Sequence, residues 1–167
     1  MVKGLQVGFG EPVGAPLMAA LAQRSVWMVR LDMQPVTLAE TFRAICQETI
    51  DAGLRPLLII RPDQVETMLA LPEAFGPLDL EVQNEPDLRG ASPGDYVASA
   101  WRILDALRGR HRIWAGCVSN LHRKGQDWLA AVVRGLPLDV GITVHRYPRN
   151  GQRPDGKILS TTMSFFS

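Results

Sequence analysis

The run Leu78-Asp79-Leu80-Glu81-Val82-Gln83 alternates apolar and polar residues and closes on Asn84-Glu85-Pro86. In extended backbone, Leu78, Leu80 and Val82 share one face, while Asp79, Glu81, Gln83 and Glu85 share the other. Four polar groups in a column are costly in a parallel sheet covered on both sides. They belong where partners or water can reach them. A carboxylate at the C-terminal tip of such a strand, beside an amide and pinned by proline, is suited to acid/base work. That work needs a carboxyl that keeps its proton near neutral pH, which burial and a like-charged neighbour bring about. Glu85 is therefore the candidate catalytic residue.

Other residues could join it. Asp139–Pro148 reads as a further strand, and alternation puts His145 and Tyr147 on one face, able to converge on one pocket. Arg30 stands near the end of a strand-like run, two residues before Asp32, where a surface ion pair is the plain alternative. Gly8-Phe9-Gly10-Glu11-Pro12-Val13-Gly14, with Asp32 beyond it, approaches a dinucleotide fingerprint. Glu11 would set negative charge beside a pyrophosphate, and Pro12 removes a backbone donor from the cradle. A tight turn that needs glycine explains the segment better. Cys46 and Cys117 sit among apolar neighbours and read as two buried thiols, not a disulfide or a metal site. No cofactor and no metal is expected.

These residues must be positioned by an alternating series of elements. Strands are expected at Gly4–Phe9, Val26–Asp32, Arg55–Arg61, Leu78–Asn84, Arg112–Val118 and Asp139–His145. One helix opens at Thr37, with Glu40 completing a capping box, and runs to Gly53 with Leu38, Phe42, Ile45 and Ile50 on one face. Another runs from Ser92-Pro93 to Gly109 with a stripe of Val97, Ala100, Trp101, Leu104 and Leu107. Residues 123–134 form a third, and shorter helices fit Ala15–Gln23 and Pro62–Leu71.

Alternating strands and helices imply an α/β fold with a parallel sheet. An open doubly wound sheet and a piece of a barrel both fit, and length favours the former, since whole barrels need about 250 residues. The polar column of the fourth strand decides for the barrel, whose C-terminal mouth tolerates it. The expected fold is thus a partial (truncated) TIM (β/α)8 barrel of about six parallel strands over residues 1–148, with 149–167 an irregular tail of the same domain.

Hydrophobic residues make up 46% of the 167 and charged ones 21%, as in globular proteins rather than disordered ones. A net charge of +1 gives no reason to expect nucleic acid or an anionic membrane surface, and no apolar run is long enough to span a bilayer. Met1-Val2-Lys3 leads into a strand-like segment without a signal-peptide pattern, so a cytoplasmic location is the default expectation.

Glu81-Val82-Gln83-Asn84-Glu85-Pro86 resembles the fourth strand of the clan A glycoside hydrolases, typically Glu-Val-Trp-Asn-Glu-Pro, and the His145-Arg146-Tyr147 ending resembles their sixth. The resemblance implies a (β/α)8 barrel that cleaves O-glycosidic bonds with retention, using Glu85 as acid/base. It implies that Asn84 binds the hydroxyl next to the anomeric carbon, that His145 and Tyr147 line the sugar site, and that Arg30 lies against the nucleophile. Gln83 departs from the aromatic usual at its position. Trp114 and Asn120, flanking the fifth strand, are conceivable sugar platforms. Retention needs a second carboxylate about 5 to 5.5 Å from the first. In this clan it ends the seventh strand, whereas the one acid after Tyr147 here is Asp155, in a Gly/Pro-rich turn. A glycosidase-like protein inactive alone, a relative that binds carbohydrate without cleaving it, and a homo-oligomer joined through open barrel edges are the expectations that follow. A doubly wound nucleotide-binding domain is the remaining alternative.

Overall fold

The computed structural model describes residues 4–8, 14–23, 26–32, 39–71, 75–119, 122–144 and 164–166. Strand β1 (Gly4–Gly8) leads to helix α1 (Ala15–Gln23), β2 (Met28–Asp32), α2 (Ala39–Asp51) and β3 (Arg55–Ile60). After a 3-10 turn at Pro62–Gln64 come α3 (Val65–Leu69), β4 (Asp79–Val82), α4 (Pro93–Leu107), β5 (Arg112–Val118), α5 (Arg123–Gly135) and β6 (Gly141–Val144). A short β7 (Ser164–Phe166) follows, so the tail expected to be irregular contributes one strand.

The chain is α/β, with a sheet in the order β1-β2-β3-β4-β5-β6-β7. The five pairings from β1 to β6 are parallel, and β7 runs antiparallel to β6. Strand neighbours in space are neighbours in sequence throughout. Such an order has no reversal point, which is where a doubly wound sheet opens its nucleotide crevice. Of the glycine-rich segment that suggested a nucleotide, Phe9–Val13 lies outside the described residues.

One face of the sheet carries the core. Val29, Leu31, Leu58, Ile60, Leu80, Val82, Ile113 and Ala115 form a single buried cluster with side chains from all five helices, among them Met18, Phe42, Met68, Ile103 and Val132. Helix α4 shows why the sequence folds this way. Ser92 caps it by accepting from the Asp95 backbone N–H at 3.1 Å, Pro93 fills the first turn, and Tyr96, Ala100, Ile103, Leu104 and Leu107 are buried at helical spacing. Trp101, placed in that stripe from sequence, is instead 37% exposed and donates to the Gly135 carbonyl at 2.9 Å, tying α4 to α5.

The opposite face is where the sheet keeps its buried polar residues: Arg30, Asp32, Asp79, Glu81 and Thr143. A bulge helps to shape it. Between Gly116 and Val118 the register against β6 slips by one residue, leaving Cys117 unmatched with φ +40°. A Cβ on Gly116 would come within 2.9 Å of the Thr143 carbonyl, so glycine is required for the close approach. Cys46 and Cys117 are both free and buried, as their neighbours implied. Burial pushes the Cys46 thiol up to about 12.

Candidate functional site

Strand β4 leaves ideal alternation at Gln83. Its φ of +59° turns the side chain out of the polar column, and its amide donates to Ser99 Oγ on α4 at 2.7 Å. Gln83 therefore belongs to the helix side, not to the column in which alternation placed it. Glu85 also holds a left-handed backbone, with φ +47°. Among the described residues the non-glycine positive φ values are those of Gln83, Glu85 and Cys117, all at the C-terminal ends of β4 and β5. None is β-branched, but none is glycine either, and such conformations cost on the order of 1–3 kcal/mol each. Strain of this kind gathers where a fold must hold a side chain at a set angle.

The turn at Gln83 brings Asn84 to the side of the sheet that holds Arg30. Arg30 is 2% exposed. Its Nε donates to Glu81 Oε2 in a buried ion pair, and its Nη2 donates to Asn84 Oδ1 at 2.9 Å. An arginine donates only, so the Asn84 amide oxygen must face it and the amide nitrogen must face away. Asn84 is partly exposed, and its amide nitrogen is the donor left after that contact. The other terminal nitrogen of Arg30, Nη1, is buried without a hydrogen-bond partner.

Glu81 is the anchor of this cluster. It is fully buried, and besides Arg30 it accepts from Thr143 Oγ1 at 2.9 Å and from the Cys117 thiol at 3.1 Å, both on Oε1. Burial first, then the Glu81 charge, pushes the Cys117 thiol well above its usual range, so it stays a neutral donor. Tyr96 closes the site from α4. Its hydroxyl donates to the Val82 carbonyl at 3.0 Å and accepts from the Gly116 backbone N–H at 2.9 Å, satisfying both strand ends where the ladder breaks. Burial, and then nearby Cys117, raises the Tyr96 hydroxyl well above its usual range and keeps it neutral.

Around the rim other acids are engaged. Asp32 pairs with Arg61 at 3.2 Å, so the ion pair considered between Arg30 and Asp32 is replaced by two separate pairs. Asp87 accepts from the Ser119 N–H at 3.0 Å and from its hydroxyl at 2.6 Å, linking the loop after β4 to the end of β5. The structure thus brings Arg30, Asn84 and Glu81 together, with Glu85 next along the chain. His145, Tyr147 and Asn120 lie outside the described residues. Trp114 is no sugar platform at the mouth: its indole N–H donates to Asp79 Oδ1 at 3.1 Å, in the N-terminal half of β5, and its ring covers Gly141.

Two cavities, of about 640 and 310 Å³, open at that other end of the sheet, beside Leu138–Ile142 and beside Met68–Leu78 respectively. In the larger cavity Arg108 is paired with Asp139 and Arg112 with Asp79, and the smaller one carries Arg110 and His111. Among the described residues no group of His, Cys, Asp and Glu could hold a metal ion, and no helix is long and apolar enough to cross a membrane. Comparison with known proteins finds no matching family model, curated protein or solved structure.

Sequence reasoning had Glu81 in the polar column but gave it no role. The signal was its place in that column, near the C-terminal end of the strand. Nothing in sequence predicted the bulge that delivers Cys117, or the reversal of Gln83 and Asn84.

Proposed function

We propose that the chain is a glycoside hydrolase-like protein built on part of a (β/α)8 barrel, with Glu85 as its general acid/base. The observation that carries this reading is the Arg30–Asn84 hydrogen bond. It joins the C-terminal ends of β2 and β4 across the intervening strand and orients an amide donor immediately before a carboxylate held in left-handed backbone. Consecutive strand order, helices gathered on one face and buried polar residues on the other all support a sheet that curls around those residues. The resemblance of residues 81–86 to the acid/base strand of clan A then assigns the chemistry. Asn84 would donate to a sugar hydroxyl oxygen, while Glu85 would protonate the departing oxygen and later take a proton from water. His145 and Tyr147 complete the sugar site in this reading.

One observation favours binding without cleavage as a second reading. Asp32 and Asp87, two described carboxylates at the rim, are engaged with Arg61 and Ser119, so neither is poised as a nucleophile. Hydrolysis would need that carboxylate from outside the described residues.

Turnover of a panel of aryl β-glycosides by the protein and by Glu85→Gln tests the proposal. A working acid/base at Glu85 makes the substitution cost about 10²- to 10⁴-fold in rate. Equal rates in the two proteins remove Glu85 from the mechanism. Saturable sugar binding with no turnover in either selects the binding reading.

A further inference from the structure

The smaller cavity, of about 310 Å³, opens beside Leu78 and His111, just before the strands β4 and β5 begin. Its size is at the lower end for small-molecule sites, which run from about 300 to 1,000 Å³. The lining includes Leu69, Leu71, Phe75 and Leu78, together with Arg110 and His111. Leu69, Leu71 and Phe75 pack against the core while staying partly exposed, so the walls are continuous with the apolar interior. A short turn carries both polar residues. Gly109, with φ +85°, redirects the chain after α4, and the Arg110 and His111 backbone N–H groups both donate to the Leu107 carbonyl, at 3.1 and 3.2 Å. The backbone that presents them is thus held before any ligand arrives.

The His111 ring is oriented as well. Its Nδ1 accepts from the Leu78 N–H at 3.2 Å, so the neutral imidazole keeps its proton on Nε2 and is a donor there. Burial first, and then the Arg110 charge, lower its pKa, which keeps the ring neutral near pH 7 and sets the guanidinium within electrostatic reach of it. Asp79 and Asp139, carboxylates at the same end of the sheet, are held by other arginines, Arg55 and Arg112 for the first and Arg108 for the second. One permanent positive charge and one neutral donor suit a monoanion with two acceptor oxygens, and the guanidinium fork matches a carboxylate. A dianion would bring a second charge against apolar walls, whereas a hydrocarbon would strip water from both donors without replacing it.

We propose that this cavity binds a small apolar monocarboxylate, with its hydrocarbon part among Leu69, Leu71, Phe75 and Leu78 and its carboxylate on the Arg110 guanidinium and the His111 Nε2–H. The site lies at the opposite strand ends from Asn84 and Glu85 and does not depend on the carbohydrate reading.

The test uses the full chain with hexanoate and benzoate, their neutral counterparts 1-hexanol and benzyl alcohol, and acetate. Each is titrated by calorimetry and by NMR of the histidine ring signals. The better of the two larger acids is expected to bind saturably, at least about tenfold more tightly than its alcohol and than acetate. It should also raise the midpoint of the His111 titration, because a nearby anion favours the protonated ring. An alcohol that binds as tightly as its acid overturns the proposal, since the polar pair then contributes nothing. Acetate binding as tightly as the larger acids overturns it too, because the apolar walls are then unused. Binding that leaves the His111 signals unmoved places the ligand elsewhere, and failure of both larger acids to bind removes the site. Arg110 is exposed, so Arg110→Gln should keep the fold and abolish the preference for acid over alcohol; a preference that survives this change also overturns the proposal.

Discussion

Two buried carboxylates on one strand, Asp79 and Glu81, sit two residues apart and have become different objects. Asp79, at the N-terminal end of β4, receives Arg55 at 2.6 Å, Arg112 at 2.8 and 3.0 Å, and the Trp114 indole at 3.1 Å. Its two arginines are about half exposed, at 45% and 52%, so their charges remain hydrated while the carboxylate is buried. Glu81 faces an arginine as buried as itself, and that arginine is left one hydrogen bond short. The first arrangement is complete and closes the floor of the sheet. The second is satisfied at the carboxylate and leaves one nitrogen of its partner without an acceptor.

That contrast can be broken by substitution. The largest effect is expected at Glu81→Ala, which leaves Arg30 charged and buried without its counter-ion and should cost about 3–5 kcal/mol of stability in urea unfolding. A cost under about 1 kcal/mol would mean that Arg30 is solvated in some other way. Asp79→Ala should cost less, about 1–3 kcal/mol, because Arg55 and Arg112 can turn to water when their partner is removed. If Asp79→Ala proved the worse of the two, the floor and not the rim would be the critical cluster.

Packing offers a milder probe of the floor. A Cβ at Gly141 would fall 2.2 Å from the Trp114 ring, so Gly141→Ala must displace the indole from Asp79. The expected penalty is about 1–3 kcal/mol, with a change in tryptophan fluorescence as the second readout. Retention of both native stability and the native emission would show that Trp114 is not held as described.

The smallest effects concern pH, and both have the same sign for different reasons. Burial alone would raise the Asp79 carboxyl, but hydrogen bonds from Arg112, Trp114 and Arg55 outweigh it and hold the group below its usual 3.8. The folded state therefore binds this proton less readily than the unfolded one. Its stabilisation is present above the ordinary carboxylate range and is lost as pH falls through the lowered value. His111 is lowered from its usual 6.5, by burial first and then by Arg110, and its Nδ1 accepts from the Leu78 N–H at 3.2 Å. Again the unfolded state takes the proton first. Stability should decline as pH drops below about 6.5 and level off once the folded imidazole also protonates. Urea midpoints measured from neutral to acid pH should thus fall in two stages. Asp79→Asn should flatten the lower stage and His111→Gln the upper. A single stage unaffected by His111→Gln would contradict the buried, neutral imidazole.

The elements themselves were legible because they depend on local pattern. Strand β5 and helix α1 occupy Arg112–Val118 and Ala15–Gln23, the ranges read from sequence; α5 runs one residue further than expected, the helix expected over Pro62–Leu71 divides into a 3-10 turn and α3, β7 was not foreseen, and the remaining elements have shortened ends. Terminal residues are where local preference is weakest. Glu85 and Asn84 were singled out by the alternating run and its Asn-Glu-Pro ending, and Arg30 by its place near the end of β2. What could not be read was direction. Alternation assigned Gln83 to the polar face and left Asn84 off it, and two left-handed residues reversed that assignment. Neither glutamine nor glutamate favours positive φ, so no residue type advertised the turn.

Local pattern was enough for an alternating α/β chain whose fourth strand carries acids toward an Asn-Glu-Pro end, since period-two patterning and turn residues act within a few positions. Which charges pair was settled by the folded sheet. Arg30 could have met Asp32, its neighbour in the chain, yet it reaches 51 residues along to Glu81, and Asp32 goes to Arg61. Partners of that kind depend on strand order, on a bulge in β5 and on which face each side chain takes. Those are properties of the assembled sheet, and the orphaned corner of Arg30 exists only there.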